Sequence, residues 1–302
     1  MIRAATALLC TLVLVGVTGA IEVSGPAEIT APGEYRLTAD LTAGGIVVSA
    51  GDVVLDGDGH HVIGSLGAGS YGILISGPVS NVTVRSLDVA GWEVGVEVRD
   101  AVGVRLERIR AENCSMNGVY VKRCREVEVK DCVASGNALP GIALNASDGC
   151  WVSGTASNGN ADVGFYVTGS RDVSIEGCRA SANGLNGIFL EETESVRVRG
   201  CTLDTNGYPG IAAADTGRLL IADNLATGNL LAAAWIDRPG PSVVVRNVAV
   251  GSEVGLVVRN TSVRPFVGGN LWQTERGVDG ETRLLPTIWA WSHLPVASPT
   301  SS

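Results

Sequence analysis

Methionine, phenylalanine and histidine are scarce in this chain of 302 residues, which has two Met, three Phe and three His. That shortage argues against a copper or zinc centre, because such sites gather His, Cys or Met side chains. Seven cysteines are present, but CxxC metal spacing is absent. Aromatic residues make up only 5% and charged residues 18%. A core with so few rings must be narrow and filled by aliphatic side chains. Lys and Arg total 22 against 31 Asp and Glu, giving a net charge of −9. Nucleic acid and anionic lipid are therefore not expected partners. Beyond the N-terminus no segment is a membrane span, and none shows the 3.6-residue period of an amphipathic helix.

The N-terminus reads as an export signal over residues 1–20. Arg3 supplies its positive end, Ala4 to Val17 its apolar run, and Thr18-Gly19-Ala20 the small residues before a cut after Ala20. The expected location is secreted or at the cell surface. Six cysteines remain after the cut, and we read them as buried thiols rather than a disulfide framework. Cys178 and Cys201 fall on neighbouring repeats, where parallel side chains set Cβ atoms slightly too far apart for a relaxed bridge.

What the chain has in abundance is glycine, 40 residues of it, and the glycines are periodic. Gly-apolar-x-apolar recurs as GILI at Gly72, GVEV at Gly95, GVYV at Gly118, GIAL at Gly141, GFYV at Gly164, GIFL at Gly187 and GIAA at Gly210, then as AAWI at Ala233. Each step is 23 residues. A second column, Asn137, Asn160, Asn183, Asn206 and Asn229, keeps the same spacing. We read it as a structural ladder at a turn, where asparagine tolerates left-handed backbone and its amides bond from coil to coil. The motif alternates in and out, and a second alternating run follows about eight residues later, as in the VEV at Val127. The predicted fold class is all-β: a right-handed parallel β-helix of about ten coils with a 23-residue repeat. Capping strands are expected over 21–44, the solenoid over 45–270, and a C-terminal cap with a disordered tail over 271–302.

The outward columns carry the candidate chemistry. Arg105 under Glu128, Glu107 under Lys130 and Glu176 under Arg199 are expected to be structural ion pairs. Tyr120, Tyr166, Phe189 and Trp235 share one outward column, spaced by Ala143 and Ala212. Aromatics facing solvent on a rigid sheet make a platform for sugar rings, although aromatics also favour strands for packing alone. Glu191 and Asp237 share the flanking column two coils apart and form the best available acid pair for glycoside chemistry. Of four Asn-x-Ser/Thr sequons, Asn81 and Asn145 are the glycosylation candidates. His60 and His61, and the carboxylates of Asp56 and Asp58, are assigned to a turn rather than a metal site. No cofactor and no metal is expected.

The stretch GEYRLTADLTAGGIVVSAGDVVLDGDGHHVIG, Gly33 to Gly64, resembles the N-terminal part of β-helices of the NosD-type and carbohydrate-binding/sugar-hydrolase (CASH) families, as do the Gly-Ile-x-Leu repeats with Asn at the turn and GGNLW at Gly268. The resemblance implies an exported or surface protein of archaeal or bacterial type. Its NosD side would imply copper handling, which the ligand shortage argues against. The leading expectation is a non-catalytic scaffold or carbohydrate-binding module, with polysaccharide or cell-surface glycan as partner. The alternatives are a polysaccharide hydrolase, lyase or epimerase, and a NosD-like copper-handling protein. Uniform coils leave little loop to wall a cleft, so the expectation leans away from an enzyme. The sequence leaves the ligand and the oligomeric state open.

Overall fold

Each 23-residue unit closes into one coil because its polar corners bend the backbone and its apolar residues face inward. In one coil, strands Val119–Lys122, Arg125–Lys130 and Val133–Ser135 follow each other. Arg123, Asp131 and Gly136, at their corners, take positive φ. Single left-handed residues turn the chain sharply without interrupting the stacking of one coil on the next. The computed structural model describes residues 19–280 and the backbone of 283–284. Most of the predicted signal segment and of the predicted tail lie outside the described residues. No helix among those described is long and apolar enough to cross a membrane.

The coils stack as a parallel β-solenoid of about eleven turns, slightly more than the ten expected. The Gly-apolar-x-apolar strands form a twelve-stranded sheet, and the remaining strands form a larger sheet. The extra turn comes from residues assigned to caps. Ala27–Ile29 already pairs with Ile46–Val48, and Arg276–Gly280 pairs with Val254–Arg259. Inward Val, Ile, Leu, Ala and Cys side chains form one continuous core. All six cysteines among the described residues are buried thiols.

The repeating glycine is explained by what lies behind it. A Cβ on Gly164 would come within 2.5 Å of the Gly187 carbonyl oxygen and 2.8 Å of the Asn183 amide nitrogen. Gly187 stands in the same relation to Gly210 and Asn206, and Gly210 to Ala233 and Asn229. Glycine column and asparagine column are thus two halves of one packed corner. Within the ladder, Asn137, Asn160, Asn183 and Asn206 each donate Nδ2–H to the Oδ1 of the next asparagine at 2.8–3.0 Å. The same oxygens accept the backbone N–H of the preceding ladder residue. The left-handed residue at this corner is the one before each asparagine (Gly136, Gly159, Ala182, Thr205 and Gly228), so the asparagines are there for their amides and not for their backbone.

A second ladder, unforeseen in the sequence, continues the cysteine column. Cys201 N–H donates to Asn224 Oδ1 at 2.9 Å, Asn224 Nδ2 to Asn247 Oδ1 at 2.9 Å, and Asn247 Nδ2 to Asn270 Oδ1 at 2.9 Å. Of the expected surface pairs, only Arg105–Glu128 forms, at 2.8 Å. Glu107 turns to Arg108, and Arg199 to Asp223.

Candidate functional site

The twelve-stranded sheet turns two columns of side chains outward. One runs Leu74, Glu97, Tyr120, Ala143, Tyr166, Phe189, Ala212, Trp235 and Val257. The other runs Ser76, Arg99, Lys122, Asn145, Thr168, Glu191, Ala214, Asp237 and Arg259. All six residues put forward for binding or acid chemistry lie in these columns, but they do not form one cluster.

Tyr166, Phe189 and Glu191 come together. The two rings stack with centroids 5.5 Å apart and planes 22° from parallel. The Tyr166 hydroxyl donates to Glu191 Oε2 at 2.5 Å. Burial and the Glu191 carboxylate both push the Tyr166 hydroxyl pKa up. Asp237 lies two strands from Glu191, beyond Ala214, or about 9.6 Å away. It already accepts from Asn260 Nδ2 at 2.6 Å and pairs with Arg238. Trp235 is half-buried over Ala232, Val254 and Val257, with the Arg259 guanidinium 6.0 Å from its ring. The proposed acid pair is therefore separated by an alanine, and each carboxylate already has a donor.

Tyr120 belongs to a different group, centred on a residue that sequence reasoning missed. Glu97 is only 6% exposed although it occupies an outward position. Leu74 and Tyr120 flank it on the neighbouring strands. Arg99 Nη1 lies 3.6 Å from Glu97 Oε1, and the same guanidinium sits 5.6 Å from the Tyr71 ring centroid. Burial raises the Glu97 carboxyl above the ordinary range, while Arg99, Lys122 and the Tyr71 hydroxyl pull it partly back. Burial and the Glu97 charge raise the Tyr120 hydroxyl in turn. At the strand ends, Arg123 grips Asp100 through two bonds of 2.7 Å. Lys122 forms no salt bridge among the described residues, so its ammonium is available to an anion. A clue was present in the sequence, since Glu97 stands 23 residues before Tyr120, a carboxylate in the outward column that carries the aromatic residues.

The turn assigned to His60 and His61 is held by contacts with carboxylates. His60 Nδ1 lies 3.1 Å from Asp40, His61 Nδ1 3.6 Å from Asp88, and Asp56 pairs with Arg85 at 2.9 Å. Among the described residues, no group of three or more His, Cys, Asp or Glu side chains is placed to hold a metal ion. Asn81 is exposed and donates to Asp52 at 2.8 Å; Asn145 is half-buried in the polar column.

The family described as right handed beta helix region matches residues 43–154 and 71–230 of this chain. The chain belongs to that family. No curated protein matches this β-helix in sequence. Among solved structures it is similar to the A-module of the mannuronan C-5 epimerase AlgE4 of Azotobacter vinelandii. The identity is 14% and the TM-score 0.65, over 87% of this chain and 89% of that one. It is also similar to the DFA-IIIase of Arthrobacter chlorophenolicus A6, at 11% identity and TM-score 0.62, over 76% and 69% of the two chains. A third likeness is to the periplasmic alginate epimerase AlgG, at 12% identity and TM-score 0.61, over 86% and 76%. At these identities the likeness to each structure is one of fold.

Proposed function

We propose that this β-helix acts on a carboxylate-bearing polysaccharide, with its chemistry at the Glu97 group. The observation that carries the reading is Glu97 itself, a carboxyl withdrawn from water on an outward face, between a tyrosine and two cations. Such an arrangement suits removal of the proton beside a sugar carboxylate. Negative charge then develops on that carboxylate, and fixed cations stabilise it. In this reading Lys122 and Arg99 hold the substrate carboxylate. The ionised Glu97 carboxylate takes the proton at carbon, and the Tyr120 hydroxyl, kept protonated by burial, returns one and is reprotonated by Glu97. Epimerisation and β-elimination share this first step. The fold likeness to proteins titled mannuronan C-5 epimerase and alginate epimerase supports a carbohydrate substrate. This puts the enzyme alternative ahead of the non-catalytic scaffold.

The test is incubation of the full chain with mannuronan and with polygalacturonate. Sugar configuration would be followed by NMR and unsaturated ends by ultraviolet absorption. Wild-type conversion should fall roughly 100-fold in Glu97→Gln and in Tyr120→Phe. Absence of conversion on both polymers, or full activity in both variants, sinks the reading.

A second reading, a glycan-binding module without chemistry, is favoured by the Tyr166–Phe189 stack. It predicts polymer retention without product, lost in the Tyr166→Ala/Trp235→Ala double variant. Either reading suits an exported protein of NosD/CASH type, cleaved after Ala20 and open to glycosylation at Asn81 and Asn145. It also suits capping strands over 21–44, a solenoid over 45–270 and a cap beyond it.

A further inference from the structure

We propose a second, non-catalytic binding track for an anionic polysaccharide on a different face, formed by the first strands of the larger sheet. It rests on the proposed function only for the class of polymer. The outward column there runs Trp151, Ser174, Arg197, Leu220, Val243 and Phe266, one residue per coil. Trp151 is 49% exposed, Val243 36% and Phe266 39%, an unusual series of large apolar side chains facing solvent. Arg197, Leu220, Val243 and Phe266 form part of the wall of an open groove of about 550 Å³, in the size range of ligand sites. Arg218 lines the groove as well, 3.4 Å from Glu194, and so does Asp172.

The charge pattern argues for an anionic occupant. In the same column Arg105 is matched by Glu128 at 2.8 Å on the next coil. Arg197 has Ser174 and Leu220 as its register neighbours and forms no ion pair among the described residues. A chain with net charge −9 thus concentrates arginines beside an apolar strip. Guanidinium groups bind carboxylates bidentately, and apolar and aromatic side chains accept the CH faces of sugar rings. From Arg197 to Phe266 is three coil steps, roughly 14 Å along the axis. The groove is open and its wall follows this column along the axis, which suits a polymer lying along the rod. Two tracks on one rigid body would hold a polymer at both faces and raise its residence by effective concentration.

The test uses the full chain in affinity electrophoresis through gels containing polygalacturonate, with dextran as neutral control. The wild type should be retarded by polygalacturonate alone, and less so as salt rises. Arg197→Ala and Phe266→Ala change exposed side chains, so folding should be preserved. Retardation should weaken roughly tenfold in Arg197→Ala, the loss of one charged contact. Conversion of short oligomers should be unchanged. Glu97→Gln should do the reverse, losing conversion and keeping retardation. Unchanged retardation in the Arg197→Ala/Phe266→Ala double variant overturns the inference. So does equal displacement of the polymer by polyglutamate, which would mean that the face reads charge alone. Retardation that depends on Arg197 without any conversion would keep this track and remove the proposed activity instead.

Discussion

Ala233 and Ser252 occupy, one coil on, the places of Gly210 and Asn229. At the Gly210 corner a Cβ would sit 2.9 Å from Asn229 Nδ2, so glycine and asparagine require each other. At the next corner a methyl group faces a smaller side chain, and the Ser252 hydroxyl is buried without a hydrogen-bond partner. The one alanine in the run of motif glycines is thus matched by the first loss of asparagine from the ladder. Ser252→Asn alone should overpack the corner and destabilise by about 1–3 kcal/mol. Adding Ala233→Gly should recover most of that loss, with a coupling of about 1 kcal/mol in a double-mutant cycle followed by urea denaturation. Additive effects would show that the two columns do not touch.

Removing one rung from the middle of the ladder should cost more than removing a surface ion pair. Asn183 donates to Asn206 Oδ1 and to the Ser157 carbonyl, each at 3.0 Å, and accepts from Asn160. Asn183→Ala leaves several buried groups unpaired, at about 1–3 kcal/mol for each. Arg105→Ala should cost under about 1 kcal/mol, because its pair with Glu128 is half-exposed. Denaturant midpoints of the two variants, measured side by side, check the order. Equal losses would reduce the asparagine column to a decoration of the turn.

The fold was legible because the period survives every substitution within it. Seven unbroken steps of 23 residues and a parallel asparagine column leave little freedom of register. The second ladder was hidden because one structural position is filled in turn by Cys132, Thr155, Cys178, Cys201 and Asn224. Each can face the backbone of the adjoining coil, so the role persists while the residue type changes. Side-chain choice was less legible than register. Glu176 and Arg199 are opposite one another, yet Arg199 reaches forward to Asp223 at 3.0 Å and Glu176 accepts from Ser174 at 2.7 Å. The candidate site suffered from a different problem. Burial decides what Glu97 can do, and a column of residue types does not reveal that an outward carboxyl is covered by its neighbours.

Glu97 should leave a mark on stability as well as on activity. Its folded pKa is raised above the ordinary glutamate value, chiefly by burial. Between the unfolded and the raised folded pKa, the native state binds more protons than the unfolded state. Stability contributed by the protonated form is therefore complete below the unfolded value and is lost as pH rises through the folded one. Glu97→Gln cannot ionise and should lack this loss. Relative to the wild type, the variant should gain stability as pH climbs from about 4 toward neutrality. Denaturation curves across that range provide the check. Parallel pH profiles for the two proteins would show that Glu97 is well solvated.

The cysteines should behave as small hydrophobes. Cys150 precedes Trp151, whose register neighbours are Glu128 and Ser174, so it falls between the inward Val127 and Val173. Burial pushes the Cys132 thiol up to about 11 and the Cys150 thiol up to about 12, so neither offers appreciable thiolate at neutral pH. Cys150→Val restores the side-chain type of its neighbours and should change stability by less than about 1.5 kcal/mol. In the native protein a thiol reagent at neutral pH should label these two positions only at the rate of unfolding. Both should react fully in denaturant. Rapid native labelling of Cys150 that the valine variant removes would mean that this part of the core opens to solvent.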